Sequence, residues 1–137
     1  MKERLGSLEL VVLKRIWDHG GGSVTVKEIW EPIYRERGLA YTTVGKVMKN
    51  LEAKGYLSHE EKDRAYYYSP IVRQEDVSGS MLRDLLLGLY GGSAARLVAA
   101  LVRTTDFDRR ELDEIERIIV EEKGGERDDG ATPGSAG

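Results

Sequence analysis

Apolar residues recur at helical spacing along most of the chain, and the interruptions mark its elements. Leu8, Val12 and Ile16, widened by Leu13 and Trp17, form a stripe that predicts a first helix from about Ser7 to Asp18, with Ser7 as its N-cap. His19-Gly20-Gly21-Gly22-Ser23 ends it in a loop. Thr25 and Glu28 have capping-box spacing, and Val24 and Ile29 stand where a hydrophobic staple would, so a second helix is expected to about Arg37, closed by Gly38. Pro32 has no N–H for the Glu28 carbonyl, which predicts a kink or break. A third helix is expected to start at Thr42 or Thr43 and end at Lys54, with Gly55 as a left-handed cap. Val44, Val47, Met48 and Leu51 form its apolar stripe. Its other face carries Thr42, Thr43, Gly45, Lys46, Lys49, Asn50 and Ala53, with no acid before Glu52.

Beyond Gly55 the period changes. Tyr56-Leu57-Ser58-His59 and Ala65-Tyr66-Tyr67-Tyr68-Ser69 read as two strands, the polar stretch Glu60 to Arg64 as the turn between them, and Pro70 as the end of the second strand. Tyr66 and Tyr68 then share one face and Tyr67 takes the other. Three helices and a hairpin in about 70 residues predict a winged helix-turn-helix.

The second half is helical. Val77, Met81, Leu82, Leu85, Leu86 and Leu89 mark one helix, Gly91-Gly92 breaks it, and Ser93 can cap the next, which carries Leu97, Val98, Leu101 and Val102. Phe107 with Leu112 as a staple and Asp108 with Glu111 as a capping box open a last helix striped by Leu112, Ile115, Ile118 and Ile119. Helices this short bury little among themselves, so their apolar residues are expected to meet a second copy of the chain. The interface residues expected are Met81, Leu82, Leu85, Leu86, Leu89, Leu97, Val98, Leu101, Leu112, Ile115 and Ile119. The fold class expected is therefore mainly α with a small β wing. A winged-helix domain spans 1–74, a helical dimerisation region spans 75–123, and a disordered, Gly-rich polar tail spans 124–137.

Composition narrows the chemistry. Cysteine is absent from the 137 residues, which excludes disulfides, thiol catalysis and thiolate metal sites. No apolar run approaches the length of a membrane span and the N-terminus lacks a signal-peptide pattern, so a cytoplasmic protein without membrane insertion is expected. The net charge of −3 conceals an asymmetry: residues 1–74 hold 13 Lys/Arg against 10 Asp/Glu, residues 75–123 hold 7 against 11, and the last 14 hold 1 against 3. A polyanion would therefore meet the first half. The two histidines, His19 and His59, have neither triad nor metal-ligand spacing, and the glycine runs lack the residues of a phosphate loop. No catalytic residue, metal or cofactor is expected.

The third helix and hairpin suit duplex DNA. Short polar side chains let a helix enter the major groove, where Thr hydroxyls reach phosphates, lysines reach guanine edges or phosphates, and asparagine can pair with adenine. The DNA-binding residues expected are Tyr41, Thr42, Thr43, Lys46, Lys49 and Asn50, with Arg64 at the wing tip and Tyr66 on the backbone. The alternative is a winged-helix protein-interaction module without specific DNA binding, its acidic second half holding the partner.

Four strings in order resemble the penicillinase repressor family of bacterial regulators (BlaI/MecI type). They are Glu9-x-x-Val12-Leu13-x-x-Ile16-Trp17; Ala40-Tyr41-Thr42-Thr43-Val44 with Leu51-x-x-Lys54-Gly55; Arg64-Ala65-Tyr66-Tyr67-Tyr68-Ser69-Pro70; and Leu89-Tyr90-Gly91-Gly92-Ser93 with Leu97-Val98. The resemblance implies a homodimeric winged-helix repressor that binds palindromic operators, of β-lactamase-type or stress genes and of its own promoter. It also implies a membrane sensor protease pathway as a candidate partner in release from DNA. A copper-sensing branch of the family uses C-terminal cysteines, which are missing here. Gly45, Lys46, Asn50 and Tyr67 depart from the family's usual residues, and Leu97 to Leu101 lacks the Asn-Phe pair cleaved in some relatives.

Overall fold

The computed structural model describes residues 4–124. The expected tail lies outside them but for Gly124. The elements follow in the order α1 (Ser7–Asp18), α2 (Val26–Arg37), α3 (Tyr41–Ala53), β1 (Leu57–Lys62), β2 (Ala65–Pro70), α4 (Gln74–Tyr90), α5 (Ala94–Thr104) and α6 (Arg109–Ile118), the last running into a wide π-type turn, Ile119–Gly124. The chain divides into two compact units, Met1–Arg83 and Asp84–Gly137, and the division falls within α4. Among the described residues the fold is mainly helical with one two-stranded antiparallel sheet, and three helices followed by a hairpin make the first unit a winged helix.

In the first unit the apolar stripes of α1, α2 and α3 converge. Val12, Leu13, Ile16, Ile29, Ile33, Val44, Met48 and Leu51 are buried together with Leu57 and Tyr68 of the hairpin. Burying an aliphatic side chain of this size is worth about 1.5–3 kcal/mol, so this cluster holds the three helices and the sheet as one body. Two indole N–H groups tie loops to it. Trp17 Nε1 donates to the Val72 carbonyl at 3.3 Å, and Trp30 Nε1 donates to the Leu39 carbonyl at 3.0 Å.

The caps explain where the helices begin and end. Gly6, not Ser7, is the N-cap of α1, and the Glu9 carboxylate accepts from its amide at 2.8 Å. Thr25 and Glu28 form the expected reciprocal box, and Val24 and Ile29 beside it are both buried. Pro32 does not interrupt α2, which is one helix through Arg37: the packing of Ile29 and Ile33 on either side of it outweighs one lost hydrogen bond. Gly38 adopts φ +71° and donates to the Tyr34 carbonyl, turning the chain into α3 within three residues. Helix α3 begins at Tyr41, earlier than the threonines suggested, with Ala40 as N-cap. It closes in a Schellman motif: Gly55, at φ +92°, donates to Glu52 and Tyr56 donates to Leu51.

The hairpin is longer and tighter than the sequence suggests. Strand β1 continues through Glu60, Glu61 and Lys62, leaving only Asp63-Arg64 as the turn, both at positive φ (52° and 66°). A two-residue turn of this kind matches the twist of the flanking strands and sets the register. His59 lies opposite Tyr68 and Glu61 opposite Tyr66. Val24 adds a one-residue bridge, exchanging both backbone hydrogen bonds with Tyr68 at 2.8 and 2.7 Å.

The second unit is built differently. Ser93 caps α5 by accepting from Arg96, and Asp108 caps α6 by accepting from Glu111. Yet α4, α5 and α6 contain no buried residue at all. Leu89 is 73% exposed, and Leu85, Val98, Leu101 and Ile119 also stand open to solvent. No single helix among the described residues is long and apolar enough to cross a membrane.

Candidate nucleic-acid interface

Helix α3 buries Val44, Val47, Met48 and Leu51 and turns its opposite face outward. Thr42, Lys46, Lys49 and Asn50 are exposed on that face, and Thr43 at its margin is half-buried. The spacing 42, 46, 49 and 50 follows one side of a 3.6-residue helix, so burial of the apolar side forces this polar side into solvent. Tyr41, half exposed in the first turn, meets Trp30 edge-on with ring centroids 5.6 Å apart. The Trp30–Leu39 hydrogen bond holds the turn leading into α3, so Tyr41 starts from a fixed base.

Gly45 borders the exposed face of α3 next to the start of α2. A Cβ built there would lie 3.7 Å from Val26 Cγ1, an ordinary contact. The fold does not require glycine at this position.

The electrostatics of the face are one-sided. Lys46 and Lys49 form no ion pair among the described residues. The single acid of α3, Glu52, is engaged elsewhere: His59 Nδ1 lies 2.7 and 2.8 Å from its two carboxylate oxygens. A carboxylate can only accept, so Nδ1 carries the proton. The last turn is anchored by Lys54, which donates to Glu9 Oε1 at 2.7 Å and to the Arg4 carbonyl at 2.9 Å. Burial pushes the Glu9 carboxyl up, but the Lys54 hydrogen bond, the Gly6 amide and the Lys54 charge together hold it below the usual carboxylate range.

Arg64 occupies the hairpin turn, exposed and without an ion pair among the described residues. Tyr66, 40% exposed, stacks on His59 with ring centroids 4.2 Å apart and planes 17° from parallel. Tyr68 behind them is buried. Burial pushes its hydroxyl up, reinforced by the charge of Glu52 and by Tyr66. The sequence reading missed Glu52 and His59. The pair is seven residues apart across a helix end and a strand, a separation that matches neither period.

Among the described residues no group of three or more His, Asp or Glu is placed to hold a metal ion. A helix-turn-helix with an exposed cationic helix face, followed by a hairpin with an arginine at its tip, defines the winged-helix class of nucleic-acid-binding proteins. Residues 5–121 match the penicillinase repressor family, and the chain belongs to that family of DNA-binding transcriptional repressors, which are not enzymes. It is 32% identical over 123 residues to the transcriptional regulator BlaI of Mycobacterium tuberculosis, covering 89% of this chain and 87% of that one. It is 23% identical over 120 residues to the penicillinase repressor of Bacillus licheniformis, covering 88% and 92%. Among solved structures, the DNA-binding domain of the repressor BlaI aligns at a TM-score of 0.48 and 26% identity, covering 56% of this chain and 93% of that one.

Proposed function

We propose that the chain represses transcription as a homodimer that binds a near-palindromic operator, each copy placing α3 in one major groove. Residues 1–74 serve as the DNA-binding domain and residues 75–123 as the dimerisation region. Tyr41, Thr42, Thr43, Lys46, Lys49 and Asn50 meet the groove and its phosphates, while Arg64 and Tyr66 hold the flanking backbone. The observation that carries this reading is the exposed face of α3, which presents Lys46 and Lys49 unpaired among the described residues while its one acid is bound by His59.

The homodimer is supported by the second unit. Soluble monomers rarely leave a contiguous apolar surface larger than a few hundred Å² uncovered. Here the expected interface residues, from Met81 on α4 to Ile119 beyond α6, include none that is buried in the single chain. A second copy covers such a face with self-complementary contacts and provides two α3 helices.

A footprint on duplexes selected from a random pool by the purified protein tests the proposal. The expected result is one enriched sequence with two inverted half-sites, their centres about one helical turn or a multiple of it apart. Retention of duplexes with no enriched sequence would overturn it.

A further inference from the structure

We propose that Glu52 and His59 are positioning residues that fix the wing relative to the helix that reads DNA; this rests on the DNA-binding reading above. A two-stranded ribbon is marginal in water unless another element holds it. The buried core supports this hairpin only at Leu57 and Tyr68. Beyond them Glu60, Glu61, Lys62, Asp63 and Arg64 are all exposed, so little core packing directs the tip.

One chain of contacts leads from α3 out to the wing. Glu52, in the last turn of α3, accepts from His59 Nδ1 through both oxygens, at 2.7 and 2.8 Å. The His59 ring in turn carries Tyr66, stacked at 4.2 Å and 17°, two residues from Arg64. Buried Tyr68 closes the cluster, tilted against His59 at 5.5 Å and edge-on to Tyr66 at 6.2 Å. His59 and Tyr66 are diagonal neighbours across the strand pair, within reach because His59 faces Tyr68 and Glu61 faces Tyr66. Lys49 stands one turn before Glu52 on α3, so one helix carries both a groove residue and the anchor of the wing. The same contact draws the only carboxylate of α3 toward the hairpin.

The test compares Glu52→Leu, Glu52→Gln, His59→Ala and His59→Phe by hydroxyl-radical footprinting on the selected duplex, with thermal unfolding measured in parallel. Glu52→Leu and His59→Ala are expected to lose protection of the flanks, where the wing lies, and keep protection of the half-site centres. Loss of one charge-assisted hydrogen bond should weaken binding by about tenfold. Glu52→Gln keeps an acceptor for Nδ1 and should retain the flanks. His59→Phe keeps the stacked ring but not the bond, so it should lose the flanks even if His59→Ala fails to fold. Flank protection unchanged in Glu52→Leu and His59→Phe would overturn the proposal, as would equal loss at flanks and centres. No footprint by the unaltered protein would instead overturn the DNA-binding reading beneath it.

Discussion

Gly45 lies where the packed side of α3 meets its exposed side. A glycine inside a helix costs roughly 1 kcal/mol against alanine, and nothing around this one requires it, since a Cβ would touch Val26 at 3.7 Å without crowding. Gly45→Ala should therefore raise stability by about 0.5–1 kcal/mol, seen as a higher denaturant midpoint with unchanged slope. Weaker operator binding by this stabilised variant would show that the missing side chain serves the DNA. A lower midpoint would contradict the open space beside Val26. At this scale the exposed residues of α3 were legible, because a buried stripe on the helix forces the opposite residues outward. Glu52 and His59 were not, because their contact depends on where β1 returns after the Gly55 cap.

Among the elements, α3 is held at its C-terminal end by α1 as well as by the wing. The tie is Lys54 between Glu9 and the Arg4 carbonyl, with Glu9 also capping its own helix at Gly6. The carboxyl of Glu9 is depressed in the folded chain, so its contribution is fully present above the unfolded carboxylate value near 4.3 and is lost as pH falls through the folded value. Glu9→Gln should be less stable than the unaltered chain at pH 7, and denaturant unfolding should show the gap closing in acid. A gap that does not change with pH would show that the charge contributes nothing. The helices were legible from their stripes, the Thr25–Glu28 box and the glycines at 38, 55 and 91–92. The hairpin was legible only in part. Glu60, Glu61 and Lys62 have the composition of a turn, yet the two-residue turn at Asp63-Arg64 and pairing with β2 extend them into a strand. The Val24 bridge to Tyr68 is a single residue and leaves no period to read.

At the scale of the whole molecule, the two units differ in the kind of surface each presents. The first offers lysines on the exposed face of α3 and an arginine at the tip of a mixed-charge wing; the second offers leucine, valine and isoleucine on helices with no fully buried residue in one chain. A charged reading face without a dimer would contact one half-site, and a dimer without that face would have no reason to meet DNA. The apolar excess of α4 to α6 was legible in the sequence, and the structure leaves these helices without a buried residue; the geometry of the proposed pairing depends on a second chain. Leu101, nearly half exposed on α5, is a position where a charge should separate the proposed dimer without altering a buried residue.

Affinity for the selected duplex as a function of salt, for the unaltered protein and for Leu101→Glu, tests the central claim most directly. A dimer that neutralises ~6–10 phosphates should lose about 10³–10⁵ in affinity between 50 and 200 mM salt. Leu101→Glu should sediment as a monomer, bind far more weakly and show roughly half the salt slope, because only one half-site is held. A flat response in the unaltered protein, or a variant with the same affinity and slope, would contradict a dimeric repressor built this way.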